Sequence, residues 1–173
     1  MAETPRTIEM ALEESLKDLY SAEHQLTTAL PQMAEGASSS TLRQALLNHL
    51  TETREHLVRL EKACMILDVK PSGKTCKAMQ GLIEEGNEVL RYKEASPVID
   101  ALLIGAAQRV EHYEMAAYGT ARALAERVGK SEVVSLLQQT LDEEGAADKK
   151  LTAISEDEVL EAAATTKSAA KRV

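Results

Sequence analysis

The sequence predicts an all-α protein: a four-helix bundle made of two antiparallel hairpins, with a long crossover between the second and third helices that carries a short extra helix. Three observations point there. Apolar residues make up 44% of the 173, yet Phe and Trp are absent and there are four Tyr, so the core must be built from Leu, Ala, Val, Ile and Met. This composition, with eight Gly and four Pro, favours helices. Apolar residues then recur at spacings of three and four along each long segment, the period of an amphipathic helix.

The first helix begins at Thr4-Pro5, with Thr as N-cap and Pro at the first helical position. Its core-facing seam is Ile8, Leu12, Leu16 or Ser15, Leu19, Glu23, Leu26, Leu30 and Met33, and Glu23 is the charged member. Pro31 is expected to kink the helix near its end, and Gly36-Ala37-Ser38-Ser39-Ser40 closes it and caps the next. The second helix has the seam Leu42, Leu46, His49, Thr53, His56, Leu60, Ala63 and Leu67, with Glu52 flanking Thr53; it stops near Asp68, ahead of Pro71-Ser72-Gly73. The crossover spans residues 68 to 96 and holds an amphipathic helix over about Lys74 to Lys93. Glu84, Glu85 and Glu88 form its solvated face.

The third helix starts at Ser96-Pro97, repeating the cap-plus-Pro signal, and ends at Val128 with Gly129 as C-terminal cap. Its seam runs through Leu103, Ala107, Glu111, Glu114, Tyr118, Ala121 and Ala125. The fourth helix starts at Ser131 with the seam Val134, Leu137, Leu141, Glu144, Asp148 and Leu151. One bundle domain over residues 1–155 is expected, followed by a tail, 156–173, that is polar, Ala-rich and finally basic at Lys167, Lys171 and Arg172.

The net charge of −8 argues against nucleic acid or an anionic membrane as partner and suits a protein that attracts cations. No apolar run approaches a membrane span, and Met1 to Thr7 is polar without a signal-peptide core, so a cytoplasmic location is expected. Cys64 and Cys76 lie twelve apart, which is neither a metal spacing nor a disulfide framework. Cys64 falls on an apolar helix face and reads as an inert buried thiol.

Acids on core-facing seams are costly unless something positive meets them. Counting residues from the two hairpin turns shows where they meet. Glu23 lies 15 residues before Ser38, and Glu52 and His56 lie 14 and 18 after it. Around the turn centred near Gly129-Lys130, Glu114 and Glu111 lie about 15 and 18 before it, and Glu144 and Asp148 about 14 and 18 after it. Equal counts in antiparallel helices mean equal height, roughly 20–27 Å from the turns. Glu23, Glu52, His56, Glu111, Glu114, Glu144 and Asp148 therefore form one layer of six acids and one imidazole. Arg109 is the nearest cationic candidate. Two metal ions would neutralise such a layer, and oxygen-rich ligation with imidazole suits iron first and manganese second. Two hairpins joined by one long crossover is also the ferritin-like topology, whose known metal solution is a Glu from each of two helices plus a Glu/His pair from each of the other two.

Around this layer the milder readings are as follows. His49 stands two turns from His56 and is read as an outer or capped core histidine. Glu55 and Glu143 read as solvated, and His112 points off the seam. Tyr20 and Tyr113 lie within a turn of the layer and are expected to pack there with a hydrogen bond to a ligand.

The stretches Asp18-Leu-Tyr-Ser-Ala-Glu23-His-Gln-Leu26, His49-Leu-Thr-Glu52, Arg109-Val-Glu-His-Tyr-Glu114 and Leu136-Leu-Gln-Gln-Thr-Leu-Asp-Glu-Glu144 resemble the YciE/YciF-like family of bacterial ferritin-like proteins, as does the crossover Ala78-Met-Gln-Gly-Leu-Ile-Glu-Glu-Gly86. The resemblance covers about residues 7 to 155. It implies a ferritin-like fold, a homodimer, a di-metal site and an association with bacterial stress responses. The family's metal positions match Glu23, Glu52, Glu111, Glu114 and Glu144. The chain departs from the wider Glu-x-x-His pattern: Glu52 and His56 are four apart, as are Glu144 and Asp148, and Asp148 stands where an imidazole is expected.

The expected function is that of a di-metal, first of all di-iron, carboxylate protein of the stress response that handles Fe²⁺, dioxygen or peroxide. The alternative is a non-catalytic stress or interaction protein whose polar layer fixes helix register. A storage or DNA-protecting shell is a third reading, weakly opposed by the crossover helix on the outer surface.

Overall fold

The computed structural model describes the backbone of residues 4–92 and 94–170, and side chains through residue 165. Lys171, Arg172, Lys93 and the side chain of Lys167 lie outside the described residues. Six α-helices follow in order among the described residues: α1 (Ile8–Gly36), α2 (Ser40–Ile66), α3 (Lys77–Leu90), α4 (Pro97–Arg127), α5 (Ser131–Ile154) and α6 (Leu160–Ala170), with a wide π turn (Ser155–Val159) joining the last two. No strand occurs among the described residues, and none of their helices is long and apolar enough to cross a membrane.

Helices α1/α2 and α4/α5 are the two antiparallel hairpins, and α1 also packs on α4 and α2 on α5, which closes a four-helix ring. Helix α3 lies across α1 and α4. This is the predicted ferritin-like bundle.

Local chemistry accounts for the boundaries. The first helix starts later than Thr4-Pro5: Thr7 is the cap, its Oγ1 accepting from the Met10 amide at 3.2 Å. Either Thr can cap, but only Thr7 sits directly before the first residue of the apolar seam. Ser39 caps α2 through the Leu42 amide at 3.1 Å. Cys76 caps α3, its Sγ accepting from Met79 at 3.4 Å, so the crossover helix begins at Lys77 rather than Lys74. Ser96 and Pro97 open α4 as expected. At its end Gly129 adopts φ 71°, and the Lys130 amide closes back on the Ala125 carbonyl at 3.0 Å.

The α1–α2 turn is fixed from outside by Asp100, a buried carboxylate in the first turn of α4. It accepts from the Ser38 and Ser39 amides, both at 2.8 Å, and from the Ser38 hydroxyl at 2.5 Å. Replacing it leaves those donors unpaired, so Asp100→Ala should lower unfolding stability by about 2–4 kcal/mol in a denaturant titration.

The core is split in two. One apolar cluster gathers Leu26, Leu30, Leu46, Leu50, Met79, Leu103, Ile104 and Leu151. The other gathers Leu12, Leu16, Leu19, Leu60, Tyr118, Val133 and Leu137. Between them, on all four long helices, lies a buried polar layer: Glu23, His49, Thr53, His56, Glu111, Glu114, Thr140 and Glu144.

Candidate metal centre

The position of each polar side chain follows from where its residue falls on the helix stripe. In α2 a central stripe of buried positions runs 42, 46, 49, 53, 56, 60 and 63, alternating steps of four and three. His49 and His56 are on that stripe, while Glu52 is one residue, about 100° of rotation, off Thr53. In α5 the buried stripe is Val133, Leu137, Thr140, Glu144 and Leu151 rather than the one through Val134, Leu141 and Asp148. It carries Glu144 inward and turns Asp148 to the flank.

The structure therefore brings together Glu23, His56, Glu111, Glu114 and Glu144 from the predicted set, adds His49, and leaves out Glu52 and Asp148. Glu52 is half exposed and meets the ring of His49 from outside, Nδ1 to Oε2 3.2 Å. Asp148 accepts from Gln108 at 3.1 Å and lies 3.4 Å from the exposed His112. Two buried donor groups result: His49, Glu111, Glu114 and Glu144 form one, and Glu23, His56 and Glu144 the other. Within each group the ligand atoms lie within 4.8 Å of one another, and Glu144 belongs to both.

The donor atoms crowd together in ion-pair contact but without well-directed hydrogen bonds. Nε2 of His49 is 3.4 Å from Glu111 Oε2 and 3.6 Å from Glu144 Oε2. Nδ1 of His56 is 3.2 Å from Glu23 Oε1 and 3.0 Å from Glu144 Oε1. Yet these two nitrogens, Glu23 Oε2, Glu111 Oε2, and both oxygens of Glu114 and Glu144 are buried without a hydrogen-bond partner. Buried polar atoms are nearly always paired. Eight such atoms converge on two points, and a pair of ions there could satisfy them.

Each imidazole presents one nitrogen inward and the other to a carboxylate. The outward Nδ1 of His49 faces Glu52. The outward Nε2 of His56 lies 2.9 Å from Glu143 Oε2. Glu143 is clamped in turn by Arg59, at 2.5 and 2.8 Å, and Arg59 also donates to Thr140 at 3.1 Å. Glu143, expected to be solvated, is thus a structural partner of His56. A carboxylate on the far nitrogen fixes the ring and its tautomer, the usual support of a metal-bound histidine. Tyr118, a member of the α4 seam, donates its hydroxyl to Glu23 Oε1 at 2.5 Å. Tyr20 and Tyr113 do not reach the layer: Tyr20 donates to Glu61 at 3.0 Å, and Tyr113 donates to Asp18 at 2.6 Å and lies 2.9 Å from Cys76 Sγ. Arg109 is exposed and pairs with Glu85 at 3.5 Å. Burial lifts the Cys64 thiol to about 11, which leaves it protonated and inert.

Without metal the layer must hold protons. Burial pushes Glu111 and Glu114 well above the usual carboxylate range; His49 offsets this only in part for Glu111, and the neighbouring Glu23, Glu144 and Glu111 add to it for Glu114. Burial opposes the charged form of both imidazoles, but the facing acids win: Glu111 and Glu52 lift His49 to about 9, and Glu144 and Glu23 lift His56 to about 10. Burial also opposes ionised Glu144, and the two histidines overcome it and hold that acid low. The donor set fits two divalent ions: four carboxylates, once ionised, balance four positive charges, and both imidazoles become neutral ligands.

A cleft of about 120 Å³ reaches the layer from the surface between α2 and α5, and His49 and Glu111 line it.

Residues 7–164 match a protein family described as a domain of unknown function (DUF892). The chain is 47% identical over 148 residues to protein YciF of Escherichia coli strain K12, covering 85% of this chain and 89% of that one. Among solved structures it resembles the E. coli stress protein YciF, with TM-score 0.86, 45% identity, and 88% and 97% of the two chains covered. YcfI from Rhodopseudomonas palustris matches with TM-score 0.84 and 42% identity over 88% and 97% of the chains. A Xanthomonas campestris protein at 18% identity and TM-score 0.70, over 89% and 94% of the chains, shares the fold.

Proposed function

The chain belongs to the YciF-like DUF892 family, and from that premise we propose that it is a two-metal carboxylate protein, with iron the first choice of ion and manganese the second, serving the stress response by handling Fe²⁺, dioxygen or peroxide. The observation that carries this reading is Glu144, a buried carboxylate common to two donor groups drawn from all four long helices. A register-fixing layer is expected to satisfy its own polar atoms; here the central ones are orphaned.

Bound iron would supply one-electron redox chemistry toward an oxygen species. The protein's own groups do the rest. His49 and His56 release their inward protons on loading and keep the outward ones on Glu52 and Glu143. Arg59 holds Glu143, and Tyr118 holds Glu23. The two apolar clusters above and below keep water from all of the layer but its His49 side, where the cleft arrives, which strengthens the charge interactions inside it.

Protein purified from cells supplemented with iron and manganese should contain about two ions per chain by elemental analysis. Loading metal-free protein in weak buffer near neutral pH should release protons, from the two imidazoles and from the carboxyls that burial holds in the acid form, Glu111 and Glu114 among them. A content near zero for every metal would sink the reading.

A further inference from the structure

The two halves of the centre differ in access. Glu23 and His56 are fully buried and covered by Tyr118 and the Glu143–Arg59 pair. The cleft between α2 and α5 instead ends on His49 and Glu111, both more than nine-tenths buried and each with an inward ligand atom that has no partner. Its walls are Ala45, Leu46, Ala147 and Leu151, and Glu52, Glu143 and Lys150 stand at its edges. The space exists because of alanine. Position 147 continues the α5 stripe of Val133, Leu137, Thr140, Glu144 and Leu151, whose other apolar members are large.

Resting on the two-metal reading, we propose that this cleft delivers a small uncharged molecule of dioxygen's size to the His49 side of the centre, while the His56 side stays closed. The inner walls, Ala45, Leu46, Ala147 and Leu151, carry no polar side-chain atom, so a strongly hydrated molecule passing Glu52, Glu143 and Lys150 at the edges would leave hydrogen bonds behind at a cost. At the edges the two carboxylates of Glu52 and Glu143 outnumber the single ammonium of Lys150, which disfavours an anion. An apolar diatomic meets neither obstacle, and strongly hydrogen-bonding peroxide meets the first.

Xenon, an apolar probe of similar size, tests the cleft in the metal-free full chain. Crystals pressurised with xenon should show an atom beside Leu46 and Ala147, and Ala147→Leu should remove it. In protein loaded anaerobically with Fe²⁺, Ala147→Leu should retain the wild-type iron content and slow oxidation on admitting air at least ten-fold. Ala146→Leu, at the cleft's exposed side, should slow it in the same direction and serves if the first variant fails to fold. A wild-type chain that holds no Fe²⁺ overturns the two-metal reading itself. A wild-type chain that holds Fe²⁺ but admits no xenon, or an oxidation rate unchanged by leucine with iron content intact, overturns the cleft alone.

Discussion

Glu144→Ala is expected to empty both metal positions at once. Its Oε1 faces His56 and its Oε2 faces His49, at 3.0 and 3.6 Å, so the two donor groups share this one side chain. Loss of a mere supporting partner typically weakens metal binding about 10–100-fold, and loss of a shared ligand should exceed that at both positions. A titration with Mn²⁺ or anaerobic Fe²⁺ should fall from about two ions per chain to near none. Glu23→Ala should spare the His49 side, because Glu23 belongs only to the other group. The metal-free variant should also be less stable, by about 3–5 kcal/mol, because two buried imidazolium groups lose their common counter-charge. A register-fixing layer makes the opposite forecast: Glu144→Ala and Glu111→Ala would stabilise the fold or leave it unchanged, and added metal would not move the melting temperature. One ion retained at wild-type affinity in Glu144→Ala would rule out the shared-ligand arrangement.

How far the sequence foretells this centre depends on which coordinate is asked for. Height along a helix was legible, because rise per residue is nearly constant and the short connections at 37–39 and 128–130 fix where counting begins. Rotation about the axis was less so. One residue is about 100°, which separates Glu52 from Thr53 and Asp148 from Ala147. The α5 register could have been chosen on energetic grounds. The stripe through 133, 137, 140, 144 and 151 buries one acid, whereas the stripe through 134, 141, 144 and 148 buries two, and burying fewer charges costs less. The same reasoning favours His49 over Glu52, since an imidazole loses less on desolvation than a carboxylate. The outer partners were not legible. Nothing in the spacing of Arg59 and Glu143, on different helices, announces that both close on His56. Likewise Asp100 shows its role only once the α1–α2 turn folds against α4.

Glu114 exposes the conflict between stability and binding most directly. It is fully buried, and neither oxygen has a hydrogen-bond partner. Burial, then the nearby Glu23, Glu144 and Glu111, push its acid well above the ordinary carboxylate range. In metal-free protein it is a neutral carboxyl with nothing to bond, a condition that costs about 1–3 kcal/mol. Glu114→Met, similar in volume and apolar, should recover that amount and raise the metal-free melting temperature by several degrees. The gain should grow with pH. A group whose folded pKa lies above its unfolded value, 4.5 for Glu, contributes its stability below that value and loses it as pH rises toward the folded one. Wild-type protein carries that loss and the Met variant does not, so melting temperatures at pH 5 and pH 8 should diverge further at pH 8. Saturating Mn²⁺ should reverse the ranking. Wild-type protein gains stability by binding, while the variant, lacking one donor of the His49 group, gains little. A Met variant less stable than wild type at both pH values without metal would mean that Glu114 is held by the fold for its own sake. The opposite ranking, reversed by metal, is the signature of a residue kept against the fold's interest for the ion it binds.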